Sequence, residues 1–252
     1  MFFADMAEPG REGAWYQVAF GDLYPVLYAH RDDASATTEA AFAIQALGVK
    51  AGSRVVDIGC GGGRHQRALQ ARGIDVVGID LSLPLLAEHR LRGGTRLVRA
   101  DMRSLPLADA VFDAATSFFT SFGYFESDDA DAQVLQGVAR VIRPEGRYLL
   151  DYLYSPRVAD SLVPRTEREV AGYNMVEERR IEDHRVKKRV SITPAAGGEV
   201  VSYEESVRLY SPDELEAMLG AAGLRVVDRY GALDGAALGA GHRCVLVAER
   251  SP

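Results

Sequence analysis

Three glycines at alternate positions, Gly59, Gly61 and Gly63, follow the apolar run Val55-Val56-Asp57-Ile58 and precede a helical stretch. Glycine there permits a tight turn and lets a ligand lie close to the backbone. The helix beyond offers free N–H groups and the positive end of its dipole, suited to a carboxylate or phosphate. Alone, the loop is a generic nucleotide turn. Its spacing narrows the choice, because the dinucleotide fingerprint needs a third glycine three residues after the second. That place holds Arg64 when counted from Gly59 and Gly61, and Gln66 when counted from Gly61 and Gly63. No Gly-Lys-Ser/Thr follows either, so the loop is no P-loop. Carboxylates stand around it instead: Asp57 before the glycines, Asp80 closing the next apolar run, and Asp101 closing the one after. Asp80 is placed to accept both hydroxyls of a ribose.

The elements that must hold these residues follow a regular rhythm. Val55–Ile58, Asp75–Ile79, Leu97–Ala100, Phe112–Phe119 and Arg147–Leu153 read as short buried strands separated by helices. Val134, Val138 and Val141-Ile142 mark the apolar face of one such helix before Pro144. Strand–helix alternation makes βαβ units and a parallel sheet. After Tyr154 the pattern changes to alternating residues with turns at Pro194 and Gly197-Gly198, so Val186–Ile192 and Val200–Leu209 are expected as a hairpin. A helix opens at Ser211-Pro212-Asp213-Glu214 and stops at Gly223. Arg225–Tyr230 and Cys244–Ala248 supply two last strands. The expected fold is α/β: a doubly wound, mostly parallel seven-stranded sheet with helices on both faces, plus a small antiparallel insertion. Its expected parts are a helical flap over 1–40, a cofactor-binding core over 41–155, a lid or dimerisation insertion over 164–210, and completion of the core sheet over 211–252.

These motifs resemble the class I S-adenosylmethionine-dependent methyltransferases, of small-molecule type. The resemblance rests on Val55-Val56-Asp57-Ile58-Gly59-Cys60-Gly61-Gly62-Gly63-Arg64-His65, then Gly78-Ile79-Asp80-Leu81-Ser82, then Arg99-Ala100-Asp101-Met102. Phe112-Asp113-Ala114 and Val141-Ile142-Arg143-Pro144-Glu145-Gly146 continue it, and it covers about residues 40 to 153. It implies S-adenosyl-L-methionine as cofactor and S-adenosyl-L-homocysteine as product. Gly59, Cys60 and Gly61 would hold the methionine moiety by their backbone, with Asp57 ordering the loop and meeting the amino group. Asp80 would take the ribose and Leu81 would pack on the adenine. Asp101 would accept from the adenine amino group while the Met102 backbone reads the ring. Ser117 and Phe118 would lie under the sulfonium. The segment with Trp15-Tyr16, Phe20, Tyr24 and Tyr28 would form the flap, bringing Tyr28 to the sulfonium side and Arg31 to the carboxylate.

The acceptor is less legible. Ser117-Phe118-Phe119-Thr120-Ser121-Phe122-Gly123-Tyr124-Phe125 would line its pocket, and lacks the Asn/Asp-Pro-Pro-Tyr/Phe signature of amide and nucleobase N-methyltransferases. That argues against a DNA base or glutamine and leaves O-, N- and C-methylation of small molecules open, with an O or N atom of a small molecule the expected acceptor. Tyr124, Tyr16, His184 and His242 are the candidate general bases, and no cluster spaced for a metal stands out. An RNA or protein methyltransferase is the alternative, docking its substrate on the basic stretch Arg179–Arg189; a non-catalytic cofactor-binding protein is another. A net charge of −7 argues against a nucleic-acid partner. The two cysteines, Cys60 and Cys244, suggest no disulfide framework, and the opening residues lack the basic start and apolar core of a signal peptide. With no apolar run long enough to span a bilayer, a cytoplasmic monomer or homodimer without a membrane partner is expected.

Overall fold

The computed structural model describes residues 15–28 and 33–252. Two short helices, α1 (Trp15–Ala19) and α2 (Tyr24–Leu27), precede the longer α3 (Asp33–Leu47). The core then runs β1 (Arg54–Ile58), α4 (Arg64–Gln70), β2 (Asp75–Asp80), α5 (Leu83–Leu91), β3 (Leu97–Arg99), β4 (Phe112–Ser117), α6 (Asp128–Val141) and β5 (Ile142–Leu153). After α7 (Ser155–Ser161) come four strands, β6 (Arg165–Val170), β7 (Tyr173–Glu182), β8 (Arg185–Pro194) and β9 (Val201–Arg208). Helix α8 (Pro212–Ala221), β10 (Leu224–Tyr230) and β11 (Arg243–Arg250) close the chain.

The main sheet has seven strands in the order β10-β11-β5-β4-β1-β2-β3, parallel except for β11, which runs antiparallel to both β5 and β10. Successive side chains of a strand point to opposite faces, and the core divides accordingly. Val55, Val76, Leu149 and Val245 pack against α3 and α4 through Ala40, Ala43 and Leu69. Val56, Ile58, Tyr148 and Leu246 pack on the other face against α6 and α8 through Val134, Leu135, Leu215 and Leu219. This is the doubly wound sheet expected from the strand–helix rhythm. Local signals hold as well: Ser127 and Ser211 cap α6 and α8, the latter with Glu214 in a reciprocal capping box, and Gly223 (φ 81°) follows α8.

The insertion differs from the expected hairpin. It is a separate four-stranded antiparallel sheet, β6-β7-β8-β9, because turns at Ala171-Gly172 and Asp183-His184 fold two further strands onto it. Those turns hold Ala171, Asp183 and His184 at positive φ, a conformation non-glycine side chains rarely announce. Leu27 and Tyr28 of the α2 segment pack on this sheet against Met175, Val190 and Ile192. Arg185 ties it to the core by donating to the carbonyls of Gly123 and Phe125, the latter at 2.9 Å. No helix among the described residues is long and apolar enough to cross a membrane.

Candidate active site

Parallel sheets of this kind bind ligands beyond the carboxyl ends of their strands. Here the ends of β1, β2 and β4 open into a cavity of about 700 Å³, roofed by α1, α2 and the insertion sheet. Gly59, Gly61 and Gly63 all hold positive φ. A methyl group on Gly59 would come within 2.6 Å of the Ser121 side chain, so the loop needs glycine there for close approach as well as for φ. The loop is pinned to β2: the Gly59 and Cys60 amides donate to the Ile79 carbonyl at 2.8 and 3.0 Å. Asp80 takes the Gly61 amide on one oxygen and the Ser82 amide on the other, each at 2.8 Å. An ionised carboxylate has about four lone-pair sites, so Asp80, which lines the cavity, keeps acceptor capacity beyond these amides. Burial raises the Asp80 carboxyl, opposed by those amides.

Asp57 lies deeper, 2 % exposed, and accepts from the Thr116 hydroxyl at 2.9 Å. Burial pushes its carboxyl up to about 7 against that hydrogen bond, with the Asp80 charge adding to the rise. A cation placed at the glycine loop would draw it back down. Asp101 also lines the cavity, but Arg103 clasps its carboxylate at 2.6 Å and holds it below the usual carboxylate range. The Arg103 guanidinium in turn lies 4.4 Å from the centre of the Phe125 ring.

Of the residues singled out in the sequence, Asp57, Gly59, Cys60, Gly61, Asp80, Leu81, Asp101, Met102, Phe118, Tyr28, Tyr16 and Tyr124 all line this cavity. Ser117 does not. It precedes Phe118 on an extended chain, so the two cannot face the same way, and its hydroxyl accepts from buried Tyr148 at 2.9 Å. His184 sits in the β7–β8 turn and His242 just before β11, and neither lines the cavity. Arg31 lies outside the described residues. Tyr28 donates to Glu177 at 3.1 Å, and burial raises its hydroxyl far above the ordinary tyrosine value. A phenol so placed is a poor proton acceptor.

Several lining residues carried no local signal. Lys188 of β8 and Glu205 of β9 are direct cross-strand partners, joined at 2.7 Å. They stand beside Val207 and Tyr28 on the cavity wall that the insertion supplies. His65 stacks on Phe118 with ring centres 3.9 Å apart and pairs with Glu39 of α3 at 2.6 Å. Burial lowers the His65 ring's proton affinity, and the Glu39 bond works against this. Rings from the α1–α2 segment and the β4 exit meet edge to face, Phe125 with Tyr16, Trp15 with Tyr124 and Phe20 with Tyr24, while Tyr24 lies tilted on Tyr28. The expected basic surface on the insertion is largely cancelled: Arg180 pairs with Glu204 at 2.9 Å, Lys187 with Glu182 at 2.7 Å, and Arg179 with Glu177.

A glycine loop braced by a strand-end aspartate, inside a doubly wound core, is matched by one family model. Residues 56–150 fit the one described as a methyltransferase domain. Over that stretch, which holds the glycine loop, Asp57, Asp80 and Asp101, the chain is similar to methyltransferases. Among curated relatives of the chain, a demethylmenaquinone methyltransferase of Beutenbergia cavernae is 38% identical over 114 residues, 45% of this chain and 46% of that one. The chain thus spans less than half the length of the first curated relatives it matches. The dTDP-3-amino-3,4,6-trideoxy-alpha-D-glucopyranose N,N-dimethyltransferase of Streptomyces venezuelae is 28% identical, covering 84% of this chain and 92% of its own. In fold, the chain is similar to the CcbJ methyltransferase of Streptomyces caelestis, with a TM-score of 0.78 at 19% identity over 93% of this chain and 98% of that one.

Proposed function

We propose that the chain is an S-adenosylmethionine-dependent methyltransferase acting on an O or N atom of a small molecule held under the insertion sheet. The observation that carries this reading is the Asp80-braced glycine loop opening into the same cavity as Lys188 and Glu205. The residues fit the cofactor. The glycine turn leaves room at the backbone, Asp80 keeps lone pairs for two hydroxyls, and buried Asp57 stands ready to meet an ammonium. Bound S-adenosylmethionine supplies an electrophilic methyl group on sulfur. The chain's own part is binding, alignment and exclusion of water, which can supply much of the rate of such a displacement. Leu81, Met102 and Phe118 give apolar contact, and the aromatic roof keeps solvent out. Asp101 would offer an acceptor only on lone pairs that Arg103 leaves.

Lys188 and Glu205 present a donor and an acceptor side by side, an arrangement that orients a molecule bearing hydroxyl or amine groups. An amino-sugar methyltransferase among the relatives, matched along most of its length, supports an acceptor of that general kind. The paired charges of the insertion speak against the alternative of a docked RNA. Of the four candidate bases named from the sequence, Tyr124 and Tyr16 line the cavity.

Incubation of the chain with cofactor carrying a labelled methyl group and a cytoplasmic extract tests the reading. Label should enter the small-molecule fraction. Label confined to RNA or protein would overturn it. Once an acceptor is known, Lys188→Met should raise its KM by about tenfold, one lost charged hydrogen bond, and leave the affinity for S-adenosylhomocysteine unchanged. A fall in kcat at constant KM would assign Lys188 a different role.

Asp57 gives a pH prediction. If the ammonium of the ligand settles beside it, its proton affinity falls on binding, so the complex holds fewer protons than the free chain. Binding near pH 7 should then release a fraction of a proton, and affinity should weaken as pH drops below about 7. Titration calorimetry with S-adenosylhomocysteine in buffers of different ionisation enthalpy reads this directly. Identical heats in every buffer would show that Asp57 does not titrate on binding.

A further inference from the structure

The chain leaves β4 through two consecutive residues with left-handed backbone, Phe119 (φ 58°) and Thr120 (φ 65°). Neither is glycine, and Thr120 is β-branched, the least suited of all to positive φ. Such strain persists only where the surroundings over-determine it. Here the determinant is a buried ion pair from two neighbouring strands. Asp151 of β5 is 1 % exposed; its carboxylate accepts from the Phe119 amide at 2.7 Å, and its carbonyl accepts from the Thr120 amide at 2.9 Å. Its other carboxylate oxygen accepts from the Arg243 Nε at 2.7 Å, and Arg243 reaches on to the Thr120 hydroxyl at 3.0 Å. Three hydrogen bonds from this pair therefore fix two strained residues.

The turn so fixed shapes the cavity. It sets the Phe118 ring on His65 at the start of α4, and the Phe119 ring between the guanidiniums of Arg64 and Arg243, 5.3 and 5.5 Å from its centre. It also seats Ser121 on Gly59, with the Ser121 hydroxyl donating to the Phe118 carbonyl at 2.8 Å and directed at the Gly59 carbonyl at 3.4 Å. Without the turn, Ser121 would leave the glycine loop and Phe118 would leave the wall.

We propose that the Asp151–Arg243 pair is a positioning device, holding Phe119 and Thr120 left-handed so that the β4 exit closes on the glycine loop. The proposal rests on the cofactor site argued above, and its test separates the two. Removing one partner would strand a buried charge, so the variant is Asp151→Ala with Arg243→Met. It should unfold cooperatively yet bind S-adenosylhomocysteine about tenfold more weakly, because the turn relaxes. Adding Thr120→Gly, which adopts positive φ freely, should recover at least about threefold. Thr120→Gly alone gives the reference for the glycine's own effect, since Thr120 lines the cavity and accepts from Arg243. A loss of binding that glycine leaves untouched in a folded protein would overturn the proposal, as would full binding by the double variant.

Thermal unfolding of the same four proteins needs no ligand. Thr120→Gly should raise the Tm of the double variant more than that of the parent, and equal shifts would overturn the proposal even if the parent binds no ligand. Failure of the parent to bind would count against the cofactor site and leave the clamp to this thermal comparison. If the double variant does not fold, Arg243→Gln with and without Thr120→Gly carries the same comparison, since Gln frees the Thr120 hydroxyl and leaves Asp151 its backbone contacts.

Discussion

Replacing Gly63 with alanine should cost about 2–5 kcal/mol of stability and abolish binding of S-adenosylhomocysteine. Two effects add. Gly63 stands at the N-cap of α4 with φ 74°, where an alanine pays about 1–2 kcal/mol for its Cβ. The new methyl group would also fall inside the ring of His89, a fully buried residue of α5 that is hemmed on another side by Gly94. Overpacking of this kind costs about 1–3 kcal/mol more. For a chain of this size the sum corresponds to a fall in Tm of roughly 5–15 °C. Binding would suffer further because α5 cannot move away from the loop without carrying Ser82 and its bond to Asp80. Combining Gly63→Ala with His89→Ala should recover the packing part and leave the backbone part, so the cycle should show coupling of opposite sign to the single losses. Strictly additive Tm shifts would show that His89 does not define the space at Gly63.

Asp80→Ala should weaken S-adenosylhomocysteine by about 10–150-fold, the ~1.5–3 kcal/mol of hydrogen bonds to a charged group. The ribose contact alone would account for the lower end. The upper end follows because Asp80 also holds the Gly61 and Ser82 amides, so its loss loosens the loop and the cap of α5 together. Asp80→Asn keeps one acceptor oxygen and should fall between the alanine variant and the parent. An alanine variant that binds as well as the parent would remove Asp80 from the site. The stability of Asp80→Ala should drop much less than that of Gly63→Ala, since no atom is forced into occupied space.

These two positions were legible because their information is local. A strand, three spaced glycines and the next strand's terminal carboxylate lie within a few dozen residues, and the parallel sheet brings them together with no further help. The seven-stranded core was legible for the same reason, its strand–helix period being strong. Lys188 and Glu205 were not, because they meet only through the register of two antiparallel strands, and Lys188 looked in sequence like part of a basic surface. His65 with Glu39, and Asp151 with Arg243, join elements far apart in the chain. Ser117 misled because strand parity decides which of two neighbouring residues faces the cavity, and the end of β4 had to be known to fix it. The strands β6 and β7 were hidden behind turns made by Ala171 and Asp183-His184 rather than by the usual turn residues alone.

The central claim is that the glycine loop, Asp57 and Asp80 make this cavity a site for S-adenosylmethionine. Titration calorimetry of the folded chain with S-adenosylhomocysteine tests it most directly. The account predicts saturable binding at one site per chain, weakened by Asp80→Ala; no detectable binding by a chain that still unfolds cooperatively would contradict it.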